Sequence, residues 1–285
     1  MITPPRAPAS SRIGLLVSDI DGTLINGNKE VTPATLAAIA KLRQAGIRLC
    51  LVSSRSVRGM QMYLDAIGND TPSAGLNGGE IVDAGGTVLE TQSLDAEAAR
   101  LTVETLTTHH VDAWAFTGRE WLIRDIAAPY VPRERKAVRF EPTVVDSFEP
   151  YIDRIGKIMG ATTDYPLLER MEIELQTMLG DRVSSRRSSP WYLDVTHPLA
   201  NKGRAAHRLA ALLGIDPSEM ACIGDMDNDI SMLSTASLSI AMGNAPKQVA
   251  DSAHFVTGTN EQDGWAEAVE TLILPRAAGF AAGDK

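Results

Sequence analysis

Two carboxylates stand two residues apart in Asp19-Ile20-Asp21-Gly22-Thr23, at the end of the apolar run Ile13 to Ile20. Ser53 and Ser54 follow a second apolar run, Ile47 to Val52, and Lys202 opens an amphipathic stretch. Late in the chain Gly224-Asp225-Met226-Asp227-Asn228-Asp229 follows the apolar residues Met220 to Ile223. Each group alone has an ordinary explanation. Asp and Gly make turns, a lone Ser caps a helix, and most lysines are solvated. The late acidic stretch lacks the twelve-residue spacing and terminal Glu of an EF-hand loop. Together, at the ends of successive elements, they suit phosphoryl transfer. Hard oxygen ligands from Asp19 and Asp225, with few Cys or His nearby, favour Mg²⁺ over zinc. A carboxylate can attack phosphorus and divide one difficult step into two. The transferred group is heavily anionic, so catalysis is mainly positioning and charge neutralisation; Lys202 and backbone N–H groups near Ser53 and Ser54 would supply part of that. Asp21, two residues from the nucleophile, can protonate the leaving oxygen and then activate water.

The elements that would hold these groups follow from hydrophobic pattern and punctuation. Short runs that are apolar throughout read as strands buried on both faces. Between the first two, a helix is framed by Thr32 as N-cap, Pro33 at its first position and Gly46 at its end, with apolar Leu36, Ile39 and Leu42. Strand, helix and strand in this order predict a parallel unit, the start of a doubly wound α/β sheet. The pattern returns after Lys202-Gly203: a helix with Ala206, Leu209, Leu212 and Leu213, a stop at Gly214, then strands over Met220 to Ile223 and Leu238 to Met242. In such sheets ligands gather outside the carboxyl ends of the strands. The intervening segment has another texture. Ala113 to Phe116 and Glu120 to Ile123 read as a hairpin, Lys157 to Ala161 as a strand and Tyr165 to Leu179 as a helix. This predicts an inserted α+β domain over 87–190, with a discontinuous core over 1–86 and 191–285. The Pro- and Ser-rich first twelve residues are expected to be disordered.

Composition bounds the function. The chain has 285 residues, 44% of them hydrophobic, ample for a packed core; 27 Lys and Arg face 36 Asp and Glu, a net charge of -9. That balance disfavours binding to nucleic-acid backbones. Cys50 and Cys222, the two cysteines, make neither a disulfide framework nor a zinc site and sit in apolar runs. No stretch reaches the length of a membrane span, and the N-terminal residues lack the apolar region of a signal peptide. A cytoplasmic protein without membrane contact is expected.

The motif residues, in their order, resemble the haloacid dehalogenase superfamily of phosphatases. Its first motif is similar to Asp19-Ile20-Asp21-Gly22-Thr23-Leu24, its second to Ser53 after a strand, its third to Lys202, and its fourth to Gly224 through Asp229. The long insertion between the second and third motifs resembles the Cof-like IIB subgroup, as do Leu76-Asn77-Gly78-Gly79, Ala241-Met242-Gly243-Asn244-Ala245 and Asn260-Glu261-Gln262-Asp263-Gly264. The likeness spans about residues 13 to 273. It implies a Rossmann-like core with a cap, and Mg²⁺-dependent hydrolysis of a small phosphate monoester, a sugar phosphate or cofactor-pathway phosphate, through an aspartyl-phosphate. Asp19 would be nucleophile and metal ligand. Asp21 would be general acid/base, with its backbone carbonyl on the metal. Asp225 would be a direct metal ligand and Asp229 a second or water-mediated one. Gly22, Ser53, Ser54, Lys202 and Asn228, with Asp21, would surround the phosphate. The chain departs from the subgroup in having Ser53-Ser54-Arg55 for the usual Thr-Gly-Arg, and Leu199 where Gly is frequent.

The resemblance leaves related activities open: a phosphomutase, or a sucrose-phosphate or mannosyl-phosphoglycerate phosphatase. A phospho-accepting receiver domain shares an acidic Mg²⁺ site, Ser/Thr and Lys on a parallel sheet, but has no evident use for an inserted cap. Cap residues that could meet a substrate are Arg119, Glu120 and the cluster Arg133, Arg135, Lys136 and Arg139; the cluster reads first as a solvated charged face. Trp114, Trp121 and Trp191 read as packing residues. Nothing in the sequence bears on oligomeric state.

Overall fold

The computed structural model describes residues 12–277; most of the Pro- and Ser-rich N-terminal stretch lies outside the described residues. The chain begins with β1 (Leu15–Ser18), buried throughout, then α1 (Pro33–Gln44) and β2 (Arg48–Leu51), which pairs parallel to β1. The Thr32 hydroxyl accepts the Thr35 N–H at the start of α1, a cap worth about 1 kcal/mol. The buried face of α1 carries Thr35, Ala38, Ile39 and Leu42. Leu36 is instead exposed: at 3.6 residues per turn it lies off the stripe shared by 35, 38, 39 and 42.

After α2 (Val57–Ala66) the chain forms a small antiparallel sheet of β3 (Ser73–Gly75), β4 (Glu80–Val82) and β5 (Val88–Thr91). A separate six-stranded sheet follows. Its elements are α3 (Ala96–Thr108), β6 (Asp112–Phe116), β7 (Trp121–Ile123), α4 (Val131–Val138), β8 (Thr143–Val144), β9 (Lys157–Ala161), α5 (Tyr165–Leu179), β10 (Ser184–Ser189) and β11 (Tyr192–Thr196). The strand order is β10-β11-β9-β6-β7-β8, antiparallel except for β7 with β8. The expected hairpin, the strand over 157–161 and the helix over 165–179 are all present. The expected boundaries fall inside these pairings: β5 pairs with β4, and β11 pairs along its whole length with β9.

The chain then returns to the first sheet. Helix α6 (Lys202–Leu213) ends at Gly214, in the left-handed region, and leads to β12 (Met220–Gly224), α7 (Ile230–Leu233), β13 (Leu238–Ala241), α8 (Lys247–Ala250), β14 (Phe255–Val256) and α9 (Gly264–Ala268). Leu212, expected on the buried face of α6, is exposed; Ala205, Ala206, Leu209 and Ala210 form that face. The five-stranded sheet has the order β14-β13-β12-β1-β2 and is parallel throughout. Apolar clusters lie on both faces: Leu16, Ile20 and Leu51 with α1 and α9 on one, Leu15, Val17 and Cys222 with α6 and α7 on the other. The fold is therefore an α/β doubly wound parallel-sheet core with an inserted α+β unit. Both cysteines are buried and free in this sheet, and burial pushes both thiols far above their usual range. No helix among the described residues is long and apolar enough to cross a membrane.

The second sheet has two sides. Outer residues such as Ala113, Leu122, Ile158 and Val195 pack with α3 and α5. The inner side carries Trp114, Phe116, Trp121, Met159 and Tyr192, and packs on α4 and on Leu76 of the core. Trp114 and Trp121 meet edge-on at 5.3 Å and are buried, as packing residues.

Candidate active site

Strand order decides where the chemistry-bearing residues meet. β1 lies between β2 and β12, so the loops after these three parallel strands open at the same edge. They carry Asp19 and Asp21, Ser53 to Arg55, and Asp225 to Asp229. Lys202, the first residue of α6, is capped from Asn201, whose side chain accepts the Arg204 N–H.

Lys202 is 1% exposed and donates to Asp19 Oδ1 and Asp229 Oδ1, each at 2.5 Å. One oxygen from each of Asp19, Asp225 and Asp229 lies within 4.8 Å of the others. The rest of each carboxylate is held by neighbours. Asp229 Oδ2 accepts the backbone N–H groups of Asp225 and Met226, both at 2.9 Å. Asp225 Oδ1 accepts from the Thr23 hydroxyl at 2.9 Å, and Oδ2 from Asn244 Nδ2 at 3.2 Å. Asn244 also donates to the Gly22 carbonyl. Gly22 has φ +80°, and a Cβ there would stand 2.3 Å from Asp225 Oδ2. Gly22→Ala should therefore lower stability by about 1–3 kcal/mol, since it adds left-handed strain to overpacking; a urea midpoint equal to wild type would show the contact to be soft.

The electrostatics of the centre are unbalanced towards negative charge. Burial, then the charge of Asp229, pushes the Asp225 carboxyl up to about 7. Burial also raises Asp19, opposed by Lys202 and reinforced by Asp229 and Asp225. For Lys202 burial acts downward, but the charges of Asp19 and Asp229 outweigh it and hold the ammonium above its ordinary value. Three buried carboxylates around one ammonium lack a positive charge. An all-oxygen donor set with that deficit fits a hard divalent cation. The residues present thus fit a divalent metal.

Asp21 is held differently. Arg55 Nε donates to its Oδ2 at 2.5 Å; Arg55 Nη2 and Lys29 Nζ donate to its Oδ1, each at 2.8 Å. Burial alone would raise the Asp21 carboxyl, but the hydrogen bonds and charges of Arg55 and Lys29 keep it well below the usual carboxylate range. Ser53 is buried and its hydroxyl accepts the Arg55 N–H at 3.2 Å, while its carbonyl accepts the Asn77 N–H. Asn228 Nδ2 donates to Asn77 Oδ1 at 2.9 Å. Ser54 meets the inserted unit, where Lys157 Nζ donates to its carbonyl at 3.1 Å.

The expected site residues thus form two hydrogen-bonded groups at one strand edge: Asp19, Lys202, Asp225 and Asp229 with Gly22 through Asn244, and Asp21, Ser53 and Asn228 joined through Arg55 and Asn77; Ser54 instead meets Lys157 of the inserted unit. Thr23, Lys29, Arg55, Asn77 and Asn244 join them without having been singled out. Four of these five stand inside stretches already notable in the sequence. Lys29 carried no such signal. The cap cations lie elsewhere: Arg135 pairs with Glu141, Arg133 covers the Trp191 ring at 4.0 Å, and Arg119, Lys136 and Arg139 are exposed. Glu120 faces Arg154 at 3.6 Å.

Comparison with known proteins agrees with this geometry. Residues 16–269 match the family model of haloacid dehalogenase-like hydrolases. The pyridoxal phosphate phosphatase YbhA of Escherichia coli K12 is 26% identical over 91% of this chain and 98% of its own. The HMP-PP phosphatase of Escherichia fergusonii is 30% identical over 82% of this chain and 86% of its own. A crystal structure of a haloacid dehalogenase-like hydrolase from Bacteroides thetaiotaomicron superposes with a TM-score of 0.83 at 28% identity, covering 91% of this chain and 99% of that one. With the family model spanning most of the chain and the acidic centre at the carboxyl ends of its parallel strands, the chain belongs to the haloacid dehalogenase-like hydrolase family, among its phosphatases.

Proposed function

We propose that this protein is a Mg²⁺-dependent phosphatase that hydrolyses small phosphate monoesters, sugar phosphates or cofactor-pathway phosphates, through a covalent intermediate on Asp19. The contact of Asp19 with Lys202 inside a triad of carboxylates carries this reading. It supports a nucleophile, its counter-charge and a hard cation site meeting at one strand edge. The names of the two relatives, one acting on pyridoxal phosphate and one on HMP-PP, support a small phosphorylated metabolite.

In this reading Arg55 and Lys29 release the Asp21 carboxylate as substrate binds and it takes up a proton from solvent; an Asp19 oxygen then attacks phosphorus while the ester P–O bond breaks, and Asp21 gives that proton to the departing oxygen. Asp21 then takes a proton from water as that water attacks the Asp19-bound phosphoryl group, releasing inorganic phosphate and restoring Asp19. The Lys202 ammonium neutralises the oxygens that gather charge, and the Ser53 hydroxyl with Gly22, Ser54 and Asn228 orients the phosphoryl group. Asp19, Asp225, the Asp21 carbonyl and Asp229, the last directly or through water, would hold Mg²⁺, which supplies charge neutralisation and orientation of the phosphate when bound. The six-stranded sheet with α3, α4 and α5 is the cap; dividing the chain near 93 and 197 keeps β5 with the core and β11 with the cap. The enzyme works in the cytoplasm.

The test is phosphate release from a panel of monoesters including p-nitrophenyl phosphate. Turnover is expected with millimolar Mg²⁺ and is expected to fall at least about 100-fold in EDTA, the scale of losing several kcal/mol of charge stabilisation. Undiminished turnover in EDTA would show that no divalent metal is needed. No phosphate release from any ester would remove the phosphatase reading itself.

A further inference from the structure

Glu80, at the start of β4, takes no part in the chemistry above, yet it is 3% exposed and its Oε2 is buried with no hydrogen-bond partner among the described residues. A carboxylate taken out of water without donors is costly, and burial favours its protonated form. What covers Glu80 is the cap. The turn between β6 and β7 lies on it so closely that a Cβ on Gly118 would overlap Glu80 Oε1. The same stretch of core takes a second close contact: a Cβ on Gly156, just before β9, would stand 2.8 Å from the Leu76 side chain. The turn is tied down on either side, since Arg58 of α2 donates to the Arg119 carbonyl at 3.1 Å and Arg119 Nη2 donates to the Gly86 carbonyl at 3.4 Å. The charged groups nearby are engaged elsewhere. Glu120 faces Arg154, Glu90 of β5 holds Arg204 and Arg208, Asp83 accepts N–H groups of its own turn, and the Arg58 guanidinium lies over the Phe140 ring. The strand partners of Glu80, Gly75 and Thr91, carry no charge. Burial raises the Glu80 carboxyl above its ordinary range, and the charge of Arg119 opposes this only in part.

We propose that Glu80 makes seating of the cap on the core pH-dependent: the β6–β7 turn settles on a protonated Glu80 and lifts when Glu80 ionises. This rests on the reading of the six-stranded unit as a cap that parts from the core. A carboxyl that is raised in the seated state and ordinary in the lifted one holds its proton more tightly when seated. Seating is therefore favoured at pH below the ordinary carboxyl value, and that advantage is lost as pH rises through the raised one. At neutral pH the ionised carboxylate holds the cap ajar, and bound substrate must shift the balance towards closure. Arg119 moderates the effect, because its charge travels with the turn and eases burial of the ionised form. In acid the cap stays down and products leave slowly; near neutrality the turn lifts between turnovers.

The test measures the distance between cap and core directly. Cys50 and Cys222 are buried, so thiol-reactive spin labels go to cysteines introduced at exposed Ala40 of α1 and Thr177 of α5. The full chain is then followed by double electron–electron resonance, with and without Mg²⁺ and orthovanadate. In ligand-free wild type the ratio of seated to lifted molecules should fall at least about 3-fold from about pH 5 to about pH 8. In Glu80→Gln, which keeps the shape and removes the charge, it should change by less than about 1.5-fold. Glu80→Gln should also lower KM for p-nitrophenyl phosphate near neutral pH by about 3- to 10-fold, since less of the protein is held away from the binding-competent state. Arg119→Gln should lower the seated ratio by a further 2- to 5-fold at about pH 8, and by less at about pH 5, because Glu80 loses its one opposing charge. Thermal melts identify a variant that does not fold; should that be Glu80→Gln, equal ratios for Arg119→Gln and wild type at about pH 8 would overturn the proposal. If neither pH nor orthovanadate changes the distance, the unit does not part from the core and the reading of it as a movable cap fails. If orthovanadate closes the cap but wild type and Glu80→Gln follow one pH course, the Glu80 proposal alone fails.

Discussion

Asp19→Asn protein should fold and should release phosphate at a rate roughly 10⁴-fold or more below wild type, the scale seen when a nucleophile is removed from a covalent mechanism. That loss corresponds to about 5.5 kcal/mol of activation free energy. The amide is nearly the size of the carboxylate but cannot attack phosphorus. Stability should change by less than about 1 kcal/mol, because the substitution has opposing effects. Lys202 loses one of its two carboxylate partners, while Asp225 and Asp229 lose a like-charged neighbour. The folded but inactive variant separates chemistry from architecture. Acid-quenched wild-type protein should carry phosphate on Asp19, read by mass spectrometry of peptides from the quenched enzyme. Near-wild-type turnover by the Asn variant would move the nucleophile elsewhere.

Lys202→Met should be the most destabilising single change at the site. The side chain replaces a buried ammonium that neutralises two carboxylates, and breaking a buried pair from one side costs about 3–5 kcal/mol because uncompensated charge remains. Asp19 and Asp229 would then face each other and Asp225 with no cation between them. The melting temperature should fall steeply in EDTA and recover in part with millimolar Mg²⁺, since a ligand that binds only the folded state raises stability by mass action. Activity should fall with or without metal, because the oxygens on phosphorus lose their nearest fixed positive charge. Equal melting temperatures for variant and wild type in EDTA would show that Asp19 and Asp229 do not depend on Lys202 for neutralisation.

Much of the core was legible because its signals are local. Runs apolar on both faces mark β1, β2 and β12, the Thr32-Pro33 pair marks the start of α1, and Gly214 with φ +66° marks the end of α6. The carboxylates and Lys202 could be placed at one edge since parallel sheets collect loop residues there. What escaped depends on tertiary contacts. β3 and β4 have three residues each, too short for a period to show. β11 carries Asp194 between apolar neighbours, and no element is expected there from sequence; in its pairing with β9, Asp194 faces Lys157 at 3.4 Å, both buried. Likewise, nothing local says that Arg55 spans Asp21 and the cap, since Ala137 contributes only a backbone carbonyl. Leu36 and Leu212 were misplaced because an apolar residue need not be inside.

The placement of β1 in the middle of the parallel sheet has a consequence for synthesis. Its partner β2 follows within a few dozen residues, but its other neighbour, β12, begins at Met220, paired with Leu15. At 5–20 residues per second, the roughly 200 residues between them take about 10–40 s to emerge. Through that interval the nascent chain holds a strand with one bare edge and an apolar face awaiting α6. The cap can fold in the meantime, since its six strands are contiguous in sequence. The catalytic half of the protein is thus the last to be completed, and its growing chain, rather than the finished enzyme, is where chaperones should be found.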